Sequence, residues 1–121
     1  MNMRPKTIFL DIDGTILKHH GNLHNICTKD AKILDGVVDT LNYWDMHGYN
    51  IILTTGRKES VRKFTEDQLR NLGIFYDQLI MGIGGGTRYI INDFKPDHPN
   101  VPTCHAITID RDKGIGHLKD I

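Results

Sequence analysis

The sequence has little cysteine, no net charge and no long apolar run, and each lack disfavours a class of protein. Its two cysteines, Cys27 and Cys104, lie far apart and predict reduced thiols instead of a disulfide framework. Fifteen basic residues balance fifteen acidic ones, so no basic field favours nucleic acid as a partner. The longest apolar stretches, such as 51–53, fall far short of the roughly 18 residues that a membrane span needs. The amino terminus also lacks the pattern of a signal peptide, and we expect a cytoplasmic protein with no membrane partner.

The composition that remains is that of one ordinary globular domain. The chain has 121 residues, of which 39% are hydrophobic and 25% charged. One domain usually takes about 100 to 200 residues. We therefore expect a single domain over residues 1–121, with one modest core and no room for a separate cap domain.

Short apolar runs alternate with helical patterns along the chain. Strands are predicted at 6–10, 49–54, 78–81, 89–92 and 105–109. Helices are predicted at 35–47 and 58–72, each followed by a glycine, with Trp44 and Phe64 on their buried faces. Residues 16–32 lack clear periodicity and predict a flap outside the core. This alternation favours an α/β domain with a mainly parallel sheet, which binds ligands at the carboxyl ends of its strands.

Two aspartates follow the first predicted strand. Asp11 and Asp13 stand at i and i+2, and side chains alternate faces along a strand, so both carboxylates can point to one side. Gly14 lets the backbone turn sharply, and Thr15 adds a hydroxyl to the same loop. The pattern therefore predicts that both carboxylates act on one ligand.

The run IFLDIDGTIL resembles motif I of the haloacid dehalogenase superfamily of phosphohydrolases. The segment IILTTGR at 51–57 resembles motif II, and YIIND at 89–93 resembles the acidic strand of motif IV. The resemblance implies a three-layer Rossmannoid fold with strand order 5-4-1-2-3. It also implies a phosphatase that uses Mg²⁺ and forms an aspartyl-phosphate.

The resemblance assigns a role to each motif residue. Asp11 would be the nucleophile, and Asp13 the general acid that later activates water. The Asp11 carboxylate, the Asp13 carbonyl and Asp93 would hold Mg²⁺. The hydroxyl that binds the phosphoryl group belongs to Thr55, or to Thr54 if the register slips by one.

The basic residue that neutralises phosphate is less well defined, because only the glycine-rich segment 82–88 precedes motif IV. Arg88 is the nearest candidate, and Lys95 competes with it. Arg57 either contacts substrate or lies in the first turn of the following helix. Asp97 stands four residues after Asp93 and is a further candidate metal ligand. The predicted substrate-binding residues are Thr15, Gly56, Arg57 and Lys95.

These features favour a phosphomonoesterase that acts on a small phosphorylated metabolite, such as a sugar phosphate. Similar phosphatases often form homo-oligomers. A receiver-like signalling domain is disfavoured, because receivers carry their phosphoaccepting aspartate after the third strand. A silent phosphate-binding protein stays open as a function, and so does a nucleotide or polynucleotide phosphatase, although the zero net charge disfavours the polynucleotide.

Overall fold

A three-stranded parallel sheet forms the centre of the protein in the computed structural model, which describes residues 4–121. Its strands β1 (Thr7–Asp11), β2 (Asn50–Thr54) and β3 (Gln78–Ile80) lie side by side in that order. The pairing aligns Asp11 with Thr54, and Thr54 with Ile80. All three strands therefore end at one edge of the sheet, as the sequence predicts for an α/β domain.

Three α-helices lie between the strands in sequence. They are α1 (Leu23–Thr28), α2 (Val37–Met46) and α3 (Arg62–Asn71), and a 3₁₀ turn at Glu59–Val61 leads into α3. The two predicted helices are thus confirmed. Trp44 of α2 is fully buried, and its indole N–H donates to the Lys119 carbonyl at 3.1 Å, which ties the end of the chain to the core.

The prediction that residues 16–32 lie outside the core is wrong for three of them. Ile16, Leu17 and Ile26 are buried. The Ile12 carbonyl accepts hydrogen bonds from three successive backbone N–H groups, and this turns the chain back onto the sheet. Three apolar residues at irregular spacing do not produce a periodic signal, which is why the sequence did not reveal them.

The prediction that Phe64 lies in the core is also wrong, because this side chain is exposed. The buried positions of α3 are Thr65 and Leu69, one turn apart. The buried face of the helix is therefore rotated by one residue, toward the polar side chains that surround Arg57.

The two predicted strands at 89–92 and 105–109 do not form. Residues 84–108 are exposed throughout, and we call residues 89–108 the arm. A parallel strand needs a crossover of a dozen or more residues, whereas only residues 81–88 separate β3 from the arm. The α/β class and the parallel sheet are confirmed, but within residues 4–121 the sheet contains only the order β1-β2-β3.

Both ends of the arm are attached at the carboxyl edge of the sheet. Before it, the Gly82 N–H donates to the Arg57 carbonyl at 2.8 Å, and the Ile83 N–H donates to the Thr55 carbonyl at 3.0 Å. After it, the Asp112 N–H donates to the Gly14 carbonyl at 2.8 Å. The chain therefore leaves the domain beside the turn that follows β2 and returns to it beside the turn that follows β1.

Two further observations concern disulfide-linked and membrane-spanning proteins, the two classes that the cysteine count and the short apolar runs disfavour. Cys27 and Cys104 are both exposed and unpaired, in agreement with the predicted free thiols. Over residues 4–121, no helix combines the length and the apolar character required to cross a bilayer.

Candidate active site

Asp11 ends β1, and the turn that follows it supplies its nearest hydrogen-bond donors. The Thr15 hydroxyl donates to Asp11 Oδ2 over a long 3.4 Å, and the Ile12 backbone N–H also donates to the carboxylate. Gly14 has a φ of 91°, which an L side chain rarely adopts. The glycine of the turn thus brings Thr15 back toward Asp11.

Asp13 is held by Arg57 through two parallel hydrogen bonds. Arg57 Nε lies 2.9 Å from Asp13 Oδ2, and Nη2 lies 2.8 Å from Oδ1. The side chains are 3% and 18% exposed for Arg57 and Asp13. The planar guanidinium matches the carboxylate in a geometry that lysine cannot reproduce. This buried pair joins the turn after β1 to the turn after β2.

Arg57 also binds the first part of α3. Its Nη1 donates to Thr65 Oγ1 at 3.2 Å and to Gln68 Oε1 at 2.8 Å. The sequence leaves open whether Arg57 contacts substrate or lies in the first turn of the helix. In the structure its guanidinium faces inward, where it positions Asp13.

Thr55 and Gly56 complete the turn after β2. The Thr55 side chain is buried, and its hydroxyl accepts a hydrogen bond from the Arg57 backbone N–H at 3.0 Å, so its own hydrogen stays available for donation. A Cβ on Gly56 would lie 3.0 Å from the Ile83 carbonyl oxygen. Thr54 lies directly opposite Asp11 across the sheet. Both threonines therefore lie at the same edge as the aspartates.

The pKa of the Asp11 carboxyl is raised from its ordinary value. The first cause is that neighbouring atoms remove water from the carboxyl group, although the residue keeps an exposed fraction of its surface. The hydrogen bond from Ile12 lowers the pKa, the charge of Asp13 raises it, and the charge of Arg88 and the Thr15 hydrogen bond lower it. The loss of water therefore raises the pKa of Asp11 more than the charge of Arg88 lowers it.

The other predicted residues are divided between the sheet edge and the arm. Arg88 is exposed and close enough for its charge to act on Asp11. Lys95 Nζ instead lies 3.7 Å from Asp93 Oδ1, in an ion pair on the arm. Asp93 and Asp97 are exposed, and residues 4–121 contain no group of three side chains arranged to hold a metal. Within one chain, the arm acids are therefore not brought together with Asp11.

Sequence reasoning missed the segment that packs on the acidic turn from the other side. Asp112 has a φ of 64°, and its Oδ1 accepts a hydrogen bond from the His19 backbone N–H at 2.9 Å. The Arg111 Cγ would lie 3.3 Å from a Cβ on Gly14. Aspartate and glycine after an apolar run indicate a turn, but nothing in the run DRDKG indicates which part of the chain it contacts.

The oxygen atoms at this edge fit part of a magnesium site. Mg²⁺ prefers carboxylate, carbonyl and water oxygens. The Asp11 carboxylate supplies one such ligand, and no hydrogen bond among residues 4–121 uses the Asp13 carbonyl oxygen, which supplies a second. The Asp13 carboxylate is already neutralised by Arg57. Among residues 4–121, no third His, Cys, Asp or Glu side chain joins Asp11 and Asp13 in a group that could hold a metal.

Comparison with known proteins matches the chain to one family model and to several named phosphatases. A family model described as "PITM 1-3, LNS2 domain" matches residues 8–89. A D-glycero-beta-D-manno-heptose-1,7-bisphosphate 7-phosphatase of Haemophilus influenzae is 38% identical over 73 residues, which cover 60% of this chain and 39% of that protein. The enzyme of the same name from Yersinia pestis is 32% identical over 101 residues, covering 83% of this chain and 52% of that one.

A solved structure shares both fold and sequence. A chain in the structure of the Pnkp1/Rnl/Hen1 complex has a TM-score of 0.58 and 31% identity, over 74% of this chain and 32% of that chain. The present chain thus spans about half or less of the length of these three relatives.

The parallel sheet, the acidic turn after β1 and these relatives define a member of the haloacid dehalogenase superfamily of phosphatases. The family model covers well over half of the residues. The chain therefore belongs to the family described as the PITM 1-3, LNS2 domain.

Replacing Arg57 by alanine should strongly destabilise the fold, because it leaves the half-buried Asp13 carboxylate without its partner. We expect Arg57→Ala to lower the free energy of unfolding by about 3 kcal/mol. Urea unfolding at pH 7, followed by fluorescence of the single buried tryptophan Trp44, measures this change. The matched control is Arg70→Ala, which removes an ion pair between the 73% exposed Arg70 side chain and Asp67 and should cost much less than Arg57→Ala. Equal losses in the two variants would contradict the assignment of Arg57 as a buried clamp.

Asp11→Asn should stabilise the fold at neutral pH. A carboxyl with a raised pKa contributes stability that is present at low pH and lost as the pH rises through the folded-state value. The substitution removes this loss, and the gain at pH 7 should be below about 1 kcal/mol after solvent screening. It should shrink as the pH falls toward about 4. Urea unfolding across this range tests the sign.

Asp67→Asn is the control for Asp11→Asn, since Lys63 and Arg70 lower the pKa of Asp67. That variant should lose stability at pH 7. A destabilised Asp11→Asn protein at pH 7 would show that the Asp11 carboxylate is favoured by its surroundings instead of disfavoured.

Proposed function

We propose that this chain hydrolyses a phosphate monoester of a small metabolite, with a phosphorylated sugar as its substrate class. The observation that carries the proposal is the pair of carboxylates in different surroundings at the carboxyl edge. Asp11 is partly dehydrated and free of a direct cationic partner among residues 4–121, whereas Arg57 binds both oxygens of Asp13. The relatives named as heptose bisphosphate phosphatases support the reaction class and the sugar.

In the first proposed step, an Asp11 carboxylate oxygen attacks phosphorus. A bond forms between this oxygen and phosphorus, the bond to the leaving oxygen breaks, and an aspartyl-phosphate results. Asp13 donates a proton to the leaving oxygen, so that the product departs as an alcohol. In the second step Asp13 takes a proton from water, which attacks phosphorus and releases phosphate and the Asp11 carboxylate.

Arg57 is the positioning residue for Asp13 in this scheme. Each Asp13 oxygen accepts one hydrogen bond from Arg57 and keeps a second lone pair, on which Asp13 can carry a proton to the leaving group. Thr65 and Gln68 keep the guanidinium in place while that happens. The buried clamp thus limits Asp13 to a small movement beside Asp11.

The groups around the phosphoryl oxygens would stabilise the charge on them. The Thr55 hydroxyl has a hydrogen to donate, the Thr15 hydroxyl lies next to Asp11, and Arg88 adds positive charge. The backbone N–H groups of Ile12 and Gly56 lie on the same turns. Donors that are held in place before reaction usually supply a large part of the rate.

Mg²⁺ is the cofactor that we propose for this site. The Asp11 carboxylate and the Asp13 carbonyl would hold it, with Asp93 as the third protein ligand. When bound, the ion neutralises charge on the transferred phosphoryl group.

A polynucleotide end is a second candidate substrate. The solved relative lies in a complex whose related structure is described as an RNA repair complex. The zero net charge offers no general attraction to a polyanion. If the chain acts on a polynucleotide, the group that it hydrolyses is therefore a phosphate at an exposed end of the strand.

The test of the proposed function is phosphate release from a panel of phosphorylated sugars, sugar acids, nucleotides and 3′-phosphorylated oligonucleotides. Each compound is assayed with Mg²⁺ and with chelator. We expect release from one sugar phosphate class, lost with chelator and reduced at least about 1,000-fold in Asp11→Asn. Release that survives in the folded Asp11→Asn protein would remove Asp11 from the nucleophile role, and release from oligonucleotides alone would move the assignment to the second candidate.

Arg88 and Lys95 are the two candidates for the basic residue that binds phosphate, and we expect their substitutions to have different effects. Arg88→Ala should lower kcat/KM about 10- to 100-fold, because it removes a positive charge that acts on Asp11 and could bind the phosphate. Lys95→Ala should lower it less than about threefold, since Lys95 pairs with Asp93 on the arm. Steady-state kinetics on the best substrate of the panel measures both values. The opposite ranking would assign the phosphate contact to Lys95.

A further inference from the structure

Asp112 binds both ends of the short segment that carries Thr15. Its backbone N–H donates to the Gly14 carbonyl at 2.8 Å, and its Oδ1 accepts a hydrogen bond from the His19 backbone N–H at 2.9 Å. One residue near the end of the chain therefore holds segment 14–19 at its first and last positions. Thr15 lies between these two points.

The hydrogen bond to Gly14 acts on the peptide group that leads into Thr15. The Gly14 carbonyl belongs to that peptide group, and its orientation sets the direction in which the chain enters Thr15. Gly14 has a φ of 91° and no side chain, so its own conformation resists rotation less than that of any other residue type. The glycine that the turn requires thus makes a restraint from outside the turn necessary.

Asp112 has an unusual backbone conformation for a residue with a side chain. Among residues 4–121 it is the only residue other than glycine with a positive φ, which is 64°. This left-handed region costs free energy for an L residue, although aspartate tolerates it better than most, and glycine adopts it without this cost. Strained positions of this kind cluster at functional sites. An aspartate where glycine suits the backbone better indicates a use for its side chain.

The segment that carries Asp112 is itself fixed to the core. Ile115 is completely buried. A Cβ on Gly114 would clash with the Asp35 carbonyl oxygen, so the two backbones are in direct contact just before α2. Asp112 is therefore held by buried contacts only two and three residues away, and it can restrain a turn that is less rigid than itself.

We propose that Asp112 is a positioning residue, which keeps the Thr15 hydroxyl aligned with Asp11 by holding segment 14–19 at both ends. It acts through Gly14 and His19, and its effect on catalysis rests on the proposed function. Without the side-chain bond, the segment would be held by Asp112 at one end only. Small displacements of groups around a reacting centre lower the rate strongly.

The first test compares Asp112→Gly with Asp112→Asn. Asp112→Gly removes the acceptor for His19 and suits the left-handed backbone, so urea unfolding should still show a folded protein. We expect it to lower kcat at least about tenfold and to change KM less than about threefold. Asp112→Asn should keep kcat within about threefold of wild type, because asparagine retains an acceptor oxygen and adopts the same backbone conformation. Steady-state kinetics on the best substrate of the panel measures both constants.

The matched control is Asp30→Gly. Asp30 is an exposed aspartate whose backbone carbonyl, and not its side chain, meets His20. This variant should keep kcat within about twofold of wild type, since substitutions away from special contacts have small effects. Equal losses in Asp112→Gly and Asp112→Asn would assign the effect to the negative charge and overturn the positioning role. An unchanged kcat in Asp112→Gly would overturn it as well.

The second test measures amide hydrogen exchange and does not depend on activity. In Asp112→Gly, the Thr15 and His19 amides should exchange at least about tenfold faster than in wild type, while the amide of the buried Leu53 keeps its rate. Unchanged exchange at Thr15 would refute the positioning role whether or not the protein is active. Faster exchange at Thr15 in a protein whose wild-type form is inactive on the whole panel would refute the proposed function and retain the restraint by Asp112.

Discussion

The ion pair between Arg57 and Asp13 connects the parts of the chain on which the site depends. Its guanidinium binds both Asp13 oxygens after β1 and two side chains of α3, while the Arg57 backbone N–H binds Thr55 after β2. A buried charge costs several kcal/mol when it loses its partner. The folded protein therefore requires the turns after β1 and β2 to lie next to each other, and this arrangement also keeps Asp13 beside Asp11.

Asp11 differs from Asp13 because no comparable partner among residues 4–121 binds it. Loss of water raises its pKa, and Arg88 offsets this only in part. A further positive charge close to Asp11 would stabilise its carboxylate, which is one physical reason for a metal at the edge. The single chain brings two oxygen ligands there and carries the third candidate, Asp93, on the exposed arm.

Local patterns predicted the elements that depend on local interactions. The strand before Asp11, helix α2 with Trp44, and the strand before Thr55 all have the spacing that their burial requires. Irregular segments were not predicted, since Ile16 and Leu17 are buried by a turn that centres on one carbonyl group. Phe64 was misplaced because a helical period leaves the direction of the buried face open by one residue.

The sequence by itself determined the succession of β1, α2, β2, α3 and β3, the acidic turn and the family resemblance, because these depend on residue type and on spacing along the chain. Tertiary structure decided which groups meet. It turned Arg57 inward onto Asp13, packed the Asp112 turn on Gly14, and left the strand-like segment before Asp93 outside the sheet. The physical reason is that the direction of a long side chain and the reach of a short connection depend on distances between elements, which local sequence does not encode.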